Sequence, residues 1–235
     1  HPSDTETGIS YSILPMNRGV LSKIFTKEQA EQHMQIISKY LKGPDGARLM
    51  DKPLKYSGGQ MKIFQRAETS TYFGREIGLM YVHEHIRHAE ALAKLGKAEA
   101  FVQALRQAIP VDYLNIVPNA APRQSNCYYS SSDIVFANRY EADEKYHLLH
   151  SGELTFKGGW RVYSSGPGIF VALIINRLLG LRFIKNMLII DPVMPTSFDG
   201  LEVSFQLFDK PVLLRYHIKH QSFSPRKIVL NGRSL

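Results

Sequence analysis

The chain has 235 residues, 44% of them hydrophobic and 21% charged, an ordinary balance for a globular protein with a substantial core. Its net charge of +8 comes from 29 Lys and Arg against 21 Asp and Glu, scattered without blocks, which argues against a nucleic-acid partner. The longest apolar runs, such as Ile169 to Ile175, are too short to span a bilayer, no basic-plus-apolar leader is visible, and the single cysteine, Cys127, fits a reducing cytoplasm.

The first dozen residues are polar and turn-rich and read as a tail or entry segment. A helix is expected from Thr26, where Thr26 and Gln29 have capping-box spacing and Ala30, His33, Ile37 and Leu41 share a face. It should stop near Gly43-Pro44. A second helix fits Gly74 to Leu95 with Gly96 as its stop, and a third fits Ala98 to Ile109, ended by Pro110. From Val111 to Gly159 the pattern is irregular, and a loop that long in a compact chain is usually either functional or a sign of elements missed. A fourth helix is expected from Pro167 to about Leu181. After it, short runs such as L-E-V-S-F-Q-L and V-L-L-R-Y-H-I read as strands, and K-I-V-L-N-G-R-S-L closes on an Asn-Gly hairpin. Helices first and strands last make an α+β chain, divided at about residue 182 into a helical part (1–182) and a β-strand cap (183–235).

Four segments carry chemistry-bearing residues. In K-G-G-W-R-V-Y-S-S-G-P-G-I-F, Lys157 to Phe170, Ser164 or Ser165 suits an N-cap and Pro167 the first helical turn. Gly166 and Gly168 permit close backbone approach, so this is either a capped helix or an anion site at a helix start. In F-Q-R-A-E-T-S-T-Y-F-G-R-E-I-G, Phe64 to Gly78, Glu68, Arg75 and Glu76 stand ahead of a helix. Arg75 suits a bidentate clamp on phosphate or carboxylate, and Glu76 suits a solvated helix start. The cluster His83, His85 and His88 lacks the i,i+4 spacing of a helical metal pair and reads as surface or core histidine, with no metal expected. Pro118 to Asp133, with Arg123, Asp133 and several Asn, Gln and Tyr, has the vocabulary of sugar recognition and equally that of plain loops. Cys127 has no close basic neighbour to activate it as a nucleophile.

Together the segments R-A-E-T-S-T-Y-F-G-R-E-I-G, K-G-G-W-R-V-Y-S-S-G-P-G and I-I-D-P-V-M-P-T-S-F-D-G-L-E-V resemble, in order and spacing, the C-terminal half of glycoside hydrolase family 94, the cellobiose-phosphorylase-like inverting glycoside phosphorylases. The similarity runs from about Leu14 to Leu235. L-P-M-x-R, F-G-R-E-I-G-L-M-Y-V-H and Y-S-S-G-P-G are most similar to its 1,2-β-oligoglucan subgroup. Phe73-Gly74-Arg75 stands where the cellobiose-specific pattern has Tyr-Thr-His, and Ser164-Ser165 where it has Thr-Gly.

The resemblance implies the last helices of an (α/α)6 barrel followed by an antiparallel β cap. It implies phosphate contacts at Arg75, Ser164 and Ser165, and sugar contacts at Glu68, Arg123 and Asp133. The activity implied is inverting phosphorolysis of β-linked gluco-oligosaccharides to a sugar 1-phosphate, with inorganic phosphate as co-substrate and no cofactor. The family's general acid lies in a G-D-W-N-D-G-like segment, and the Asp-Gly pairs at Asp45 and Asp199 sit in other contexts. The chain is therefore expected to be inactive alone and to associate with an acid-bearing N-terminal part or with itself. A carbohydrate-binding or interaction module, and a hydrolysing or transglycosylating relative, are the competing readings.

Overall fold

The structure is a computed structural model, and it describes residues 8–52, 80–109, 112–122, 131–158, 165–219 and 225–235. The first described residues do not form a tail. The amides of Ser10 and Tyr11 both donate to Asp51 Oδ1 at 3.1 Å, Ser12 bridges to Met50, and helix α1 begins at once (Ile13–Leu21). Pro15 hides this helix from a sequence reading. It falls in the first turn, where its missing N–H would have had no intrahelical acceptor. Ile13, Met16, Asn17 and Val20 repeat at helical spacing and are buried.

Helix α2 (Lys27–Ile36) starts as its capping box requires: Thr26 Oγ1 accepts from the Gln29 amide at 3.2 Å, and the Thr26 amide donates to Gln29 Oε1 at 3.0 Å. The chain continues through a five-residue π-helical turn (Ile37–Leu41) into the small hairpin β1 (Lys42–Gly43) and β2 (Gly46–Ala47). The first part of the second predicted helix, Gly74 to Leu79, lies outside the described residues, and the described part is not all helical. Met80–Tyr81 form strand β3, paired with the strand at Ser131–Ser132, and α3 runs only over Val82–Lys94. Pairing holds Tyr81 extended, and helical periodicity alone does not register that. Helix α3 ends in a Schellman motif: Gly96, at φ 72°, donates to Ala93 O at 3.0 Å, and the Lys97 amide donates to Leu92 O at 2.9 Å. Helix α4 (Ala98–Ala108) agrees with expectation and buries Phe101, Ala104, Leu105 and Ala108.

The region read as irregular, Val111 to Gly159, contains regular structure. It holds the short helix α5 (Tyr113–Ile116), strands β4 (Ala120–Pro122) and β5 (Ser131–Ile134), helix α6 (Arg139–Lys145), a 3-10 turn (Tyr146–His150) and strand β6 (Phe156–Gly158). Strands this short carry too few residues to display alternation. With β3 they form one sheet in the order β3-β5-β6-β4, antiparallel except for the parallel pair β4–β6. Strands therefore lie among the helices as well as after them. The class is α+β, but without the expected separation of the two.

Helix α7 (Ser165–Leu173) passes into a π-helical turn (Ile174–Leu178) and stops there, short of Leu181. Gly180 reverses the chain at φ 72°, and Leu181 already pairs with Ile190. Among the described residues three antiparallel ribbons follow: β7 (Leu181–Ile184) with β8 (Met187–Ile190), β9 (Glu202–Leu207) with β10 (Lys210–Arg215), and β11 (Val229–Leu230) with β12 (Arg233–Ser234). The last turns at Asn231-Gly232, both at positive φ, as an Asn-Gly hairpin demands.

The main core joins α1–α4 and α7, and Val193, Met194 and Tyr216 enter the same cluster from the strand-rich end. Tyr216 Oη donates to Leu179 O at 2.8 Å, and burial pushes its phenol up to about 12. A smaller cluster of Tyr113, Val117, Ile134, Leu149, Leu154 and Phe156 lies under the four-stranded sheet's β5–β6 region.

Candidate functional site

Four of the six residues expected to bind phosphate or sugar, Glu68, Arg75, Arg123 and Ser164, lie outside the described residues. Ser165 is the first residue of α7, so Pro167 falls in the first helical turn as expected. Asp133 is in β5, with Lys157 of β6 as its backbone partner. That pairing joins two segments that the sequence left separate, Pro118–Asp133 and Lys157–Phe170.

The sheet determines where those segments leave it. Pro122 at the end of β4 is in parallel register with Gly158 at the end of β6, so the chain departs toward Arg123 and toward Gly159 from adjacent strand ends. Strand β5 starts at Ser131 on this same edge, opposite Tyr81, which leads into α3. The start of α3, the end of β4, the start of β5 and the end of β6 thus share one edge of the sheet. Backbones of neighbouring strands lie about 4.8 Å apart, so the four are closely grouped.

Behind this edge lies a buried polar network, most of which the sequence reading left unassigned. Asp45 and Arg48 form an ion pair at 2.9 Å, both essentially inaccessible, and the Arg48 guanidinium stands 5.8 Å from the ring centre of Phe156 on β6. His85 Nδ1 accepts the Ala47 amide at 3.0 Å, and its Nε2 lies 2.8 Å from Ala104 O, which assigns the proton to Nε2. Burial pushes this imidazole down to about 4, against the opposing pull of the Ala104 carbonyl and the Asp45 charge. His88 is pushed to about 3, by burial first and then by His85 and Lys42. Its Nδ1 is 3.3 Å from Asn17 Oδ1, and Asn17 Nδ2 donates to Glu84 Oε1 at 2.9 Å. Burial raises the Glu84 carboxyl, opposed by that bond and by Arg18, whose Nη2 is 3.6 Å from Oε2.

His85 and His88 are thus core histidines, one of the two alternatives expected for them. They stay neutral at ordinary pH and tie α3 to α1, α4 and the β1–β2 hairpin. Gln107 on α4 adds a bond from Nε2 to Pro44 O at 2.8 Å. Asp45 and Asp199, the two Asp-Gly positions, serve structure: Asp45 pairs Arg48, and Asp199 Oδ1 accepts the Ile218 amide at 2.7 Å. Among the described residues no group of His, Cys, Asp and Glu has the arrangement of a metal site, and no helix is long and apolar enough to cross a membrane. Alternation and spacing do not reveal Arg48 or Asn17. The one available signal was polar residues at the buried positions of a helical stripe, as Asn17 is in α1.

Comparison with known proteins supplies the remaining constraint. Residues 180–234 match the family described as glycoside phosphorylase C-terminal domain. Over 232 residues the chain is 45% identical to a 1,2-beta-oligoglucan phosphorylase of Listeria innocua, an alignment covering 99% of this chain and 21% of that relative. The chain spans about a fifth of the length of the curated relative it matches.

Proposed function

We propose that this chain, which carries a glycoside phosphorylase C-terminal domain and is related almost end to end to a 1,2-beta-oligoglucan phosphorylase, works as the phosphate- and sugar-contacting part of an inverting glycoside phosphorylase. The observation that carries this reading is the 45% identity maintained over 99% of the chain. The substrates are β-linked gluco-oligosaccharide and inorganic phosphate, and the product is a sugar 1-phosphate. Helices before about residue 182 belong to an (α/α)6 barrel completed by other chain, and the ribbons after it form the cap.

In this mechanism an acid from outside the chain protonates the glycosidic oxygen while phosphate attacks the anomeric carbon from the opposite face. Phosphate is already anionic, so the task of the site is to hold and orient it beside a developing oxocarbenium ion. Arg75, Ser164 and the amide of Ser165 at the start of α7 form that clamp, and Glu68, Arg123 and Asp133 contact sugar hydroxyls. The sheet edge supports the assignment: it carries Asp133 in register with Lys157 and sends the chain toward Arg123 and Ser164 from paired strand ends.

The test is phosphorolysis by the protein in which this chain stands with its acid-bearing segment, assayed for sugar 1-phosphate over a panel of β-glucans. Arg75→Gln is expected to raise the KM for phosphate and lower kcat/KM by about a hundredfold, the loss of a charge-assisted bidentate contact. No sugar phosphate from any β-glucan would overturn the reading in favour of a carbohydrate-binding or interaction module.

A further inference from the structure

A second region of the molecule, at the opposite end of the last helix from Ser165, gathers three cations around one cleft. A cleft of about 400 Å³ opens between the start of α2, the Schellman turn after α3, the π-helical turn after α7 and the chain just past β8. A volume of this size lies within the range of small-molecule pockets. Lys27, Lys94 and Arg177 line it together with Glu31 and Asp191.

Both acids already have cationic partners that do not line the cleft. Glu31 is bridged by Lys97 at 2.6 Å, and Asp191 by Arg182 at 3.0 Å. Glu90, the acid nearest in sequence to Lys94, is bridged by Arg87 at 2.7 Å. Among the described residues no carboxylate lies within salt-bridge distance of Lys27, Lys94 or Arg177. Lys94 donates to Leu21 O at the end of α1, and an ammonium has two further protons to give. Burial, and then the like charges of Lys23 and Arg177, push its pKa down. An anion placed between these cations would reverse that repulsion.

We propose that this cleft binds a small phosphate-bearing anion, inorganic phosphate or a sugar monophosphate, through Lys27, Lys94 and Arg177. Arg177 supplies the planar fork that suits a phosphate, and the two lysines supply point charges around it. The site is remote from Ser165: Arg177 follows it by twelve residues of continuous helix, about 18 Å at 1.5 Å per residue. The same helical element therefore starts at the proposed phosphate contact Ser165 and ends at this cleft. The inference does not depend on the phosphorylase reading.

Calorimetric titration of the 235-residue chain with inorganic phosphate and, separately, with glucose 1-phosphate tests it. The Arg75→Gln variant removes the charged member of the clamp proposed above, so the share of the persisting anion binding that is lost with Arg177 reports on the cleft. Adding Arg177→Gln to that variant is expected to weaken the persisting binding at least tenfold, and Lys27→Gln by a smaller factor. Lys27 is an exposed residue at the first position of α2, so its variant keeps the test valid if loss of Arg177 disturbs folding. Tighter binding of glucose 1-phosphate would assign the cleft to sugar phosphates, and equal binding to the phosphate group alone. The proposal is overturned if Arg75→Gln binds neither anion at millimolar concentration, or if the cleft variants bind as tightly as their parent. Failure of the phosphorylase reading would show elsewhere, as the absence of sugar 1-phosphate from every β-glucan.

Discussion

His85 and His88 lie three residues apart on α3, and their ring protons are assigned by their partners. Replacing His85 with Leu leaves the Ala47 amide without a partner in the interior and removes a second bond from the Ala104 carbonyl, so chemical denaturation should show a loss of about 2 kcal/mol. The two histidines also make stability depend on pH. Their folded pKa values, about 4 and about 3, lie below the ordinary 6.5, so below pH 6.5 the unfolded chain binds protons that the folded chain refuses. Their contribution is complete above pH 6.5 and is lost as pH falls, by about 1.4 kcal/mol per pH unit for each. Glu84 has the opposite sign, because burial raises its carboxyl and favours the folded state in acid. Urea unfolding between pH 7 and 5 should therefore show stability falling by about 2 to 4 kcal/mol, with a shallower slope in His88→Gln. A flat profile would contradict neutral buried imidazoles.

At the level of elements, Gly180 separates the helical run from the ribbons. A methyl group there would sit 2.2 Å from the backbone of Asp191 and Pro192, and the position also has φ 72°. Backbone does not swing aside as a flexible side chain does, so Gly180→Ala is expected to cost at least about 3 kcal/mol and to lower the melting temperature. The contrast between α2 and β3 shows which elements a sequence discloses. Thr26 and Gln29 determine the start of α2 by contacts three residues apart, and those contacts form as expected. The extended state of Tyr81 depends on Ser131, fifty positions away, and no local pattern reports it. The Asn-Gly hairpin was legible for the same reason as the capping box, and the sheet β3-β5-β6-β4 was not. For the candidate site, the chemistry of Arg75, Ser164 and Asp133 came from residue type and motif order. The register that sets Asp133 against Lys157 is a long-range pairing.

On the scale of the whole molecule, the strand-rich end shows, among the described residues, two-stranded ribbons that pack Val203 and Leu214 on the core but leave several large apolar side chains exposed. Phe183 is 51% exposed, Met187 61% and Phe208 79%, and the rings of Phe183 and Phe208 meet edge to face at 5.7 Å. Helix α7 is apolar nearly all round, yet Val171 on it and Ile175 in the π-helical turn after it remain exposed. Two-stranded ribbons are marginal alone, and a helix apolar on every side is normally covered. The chain by itself is expected to self-associate or bind a hydrophobic dye, and Phe183→Ser with Phe208→Ser should reduce both. Size-exclusion chromatography showing a monomer without dye binding would count against partnership with further chain.

The β4–β6 pairing also governs which changes of length the molecule can absorb. Pro122 closes β4 and Ser131 opens β5, so a change of chain length between them leaves the pairing of Ala120–Pro122 with Phe156–Gly158 in place. Deleting one residue inside β6 has the opposite effect, because the period of two turns its side chains over: Phe156 leaves the core, and Lys157 no longer stands against Asp133. A single-residue insertion between Pro122 and Ser131 should therefore leave the melting temperature nearly unchanged, and a deletion in β6 should abolish folding of the sheet.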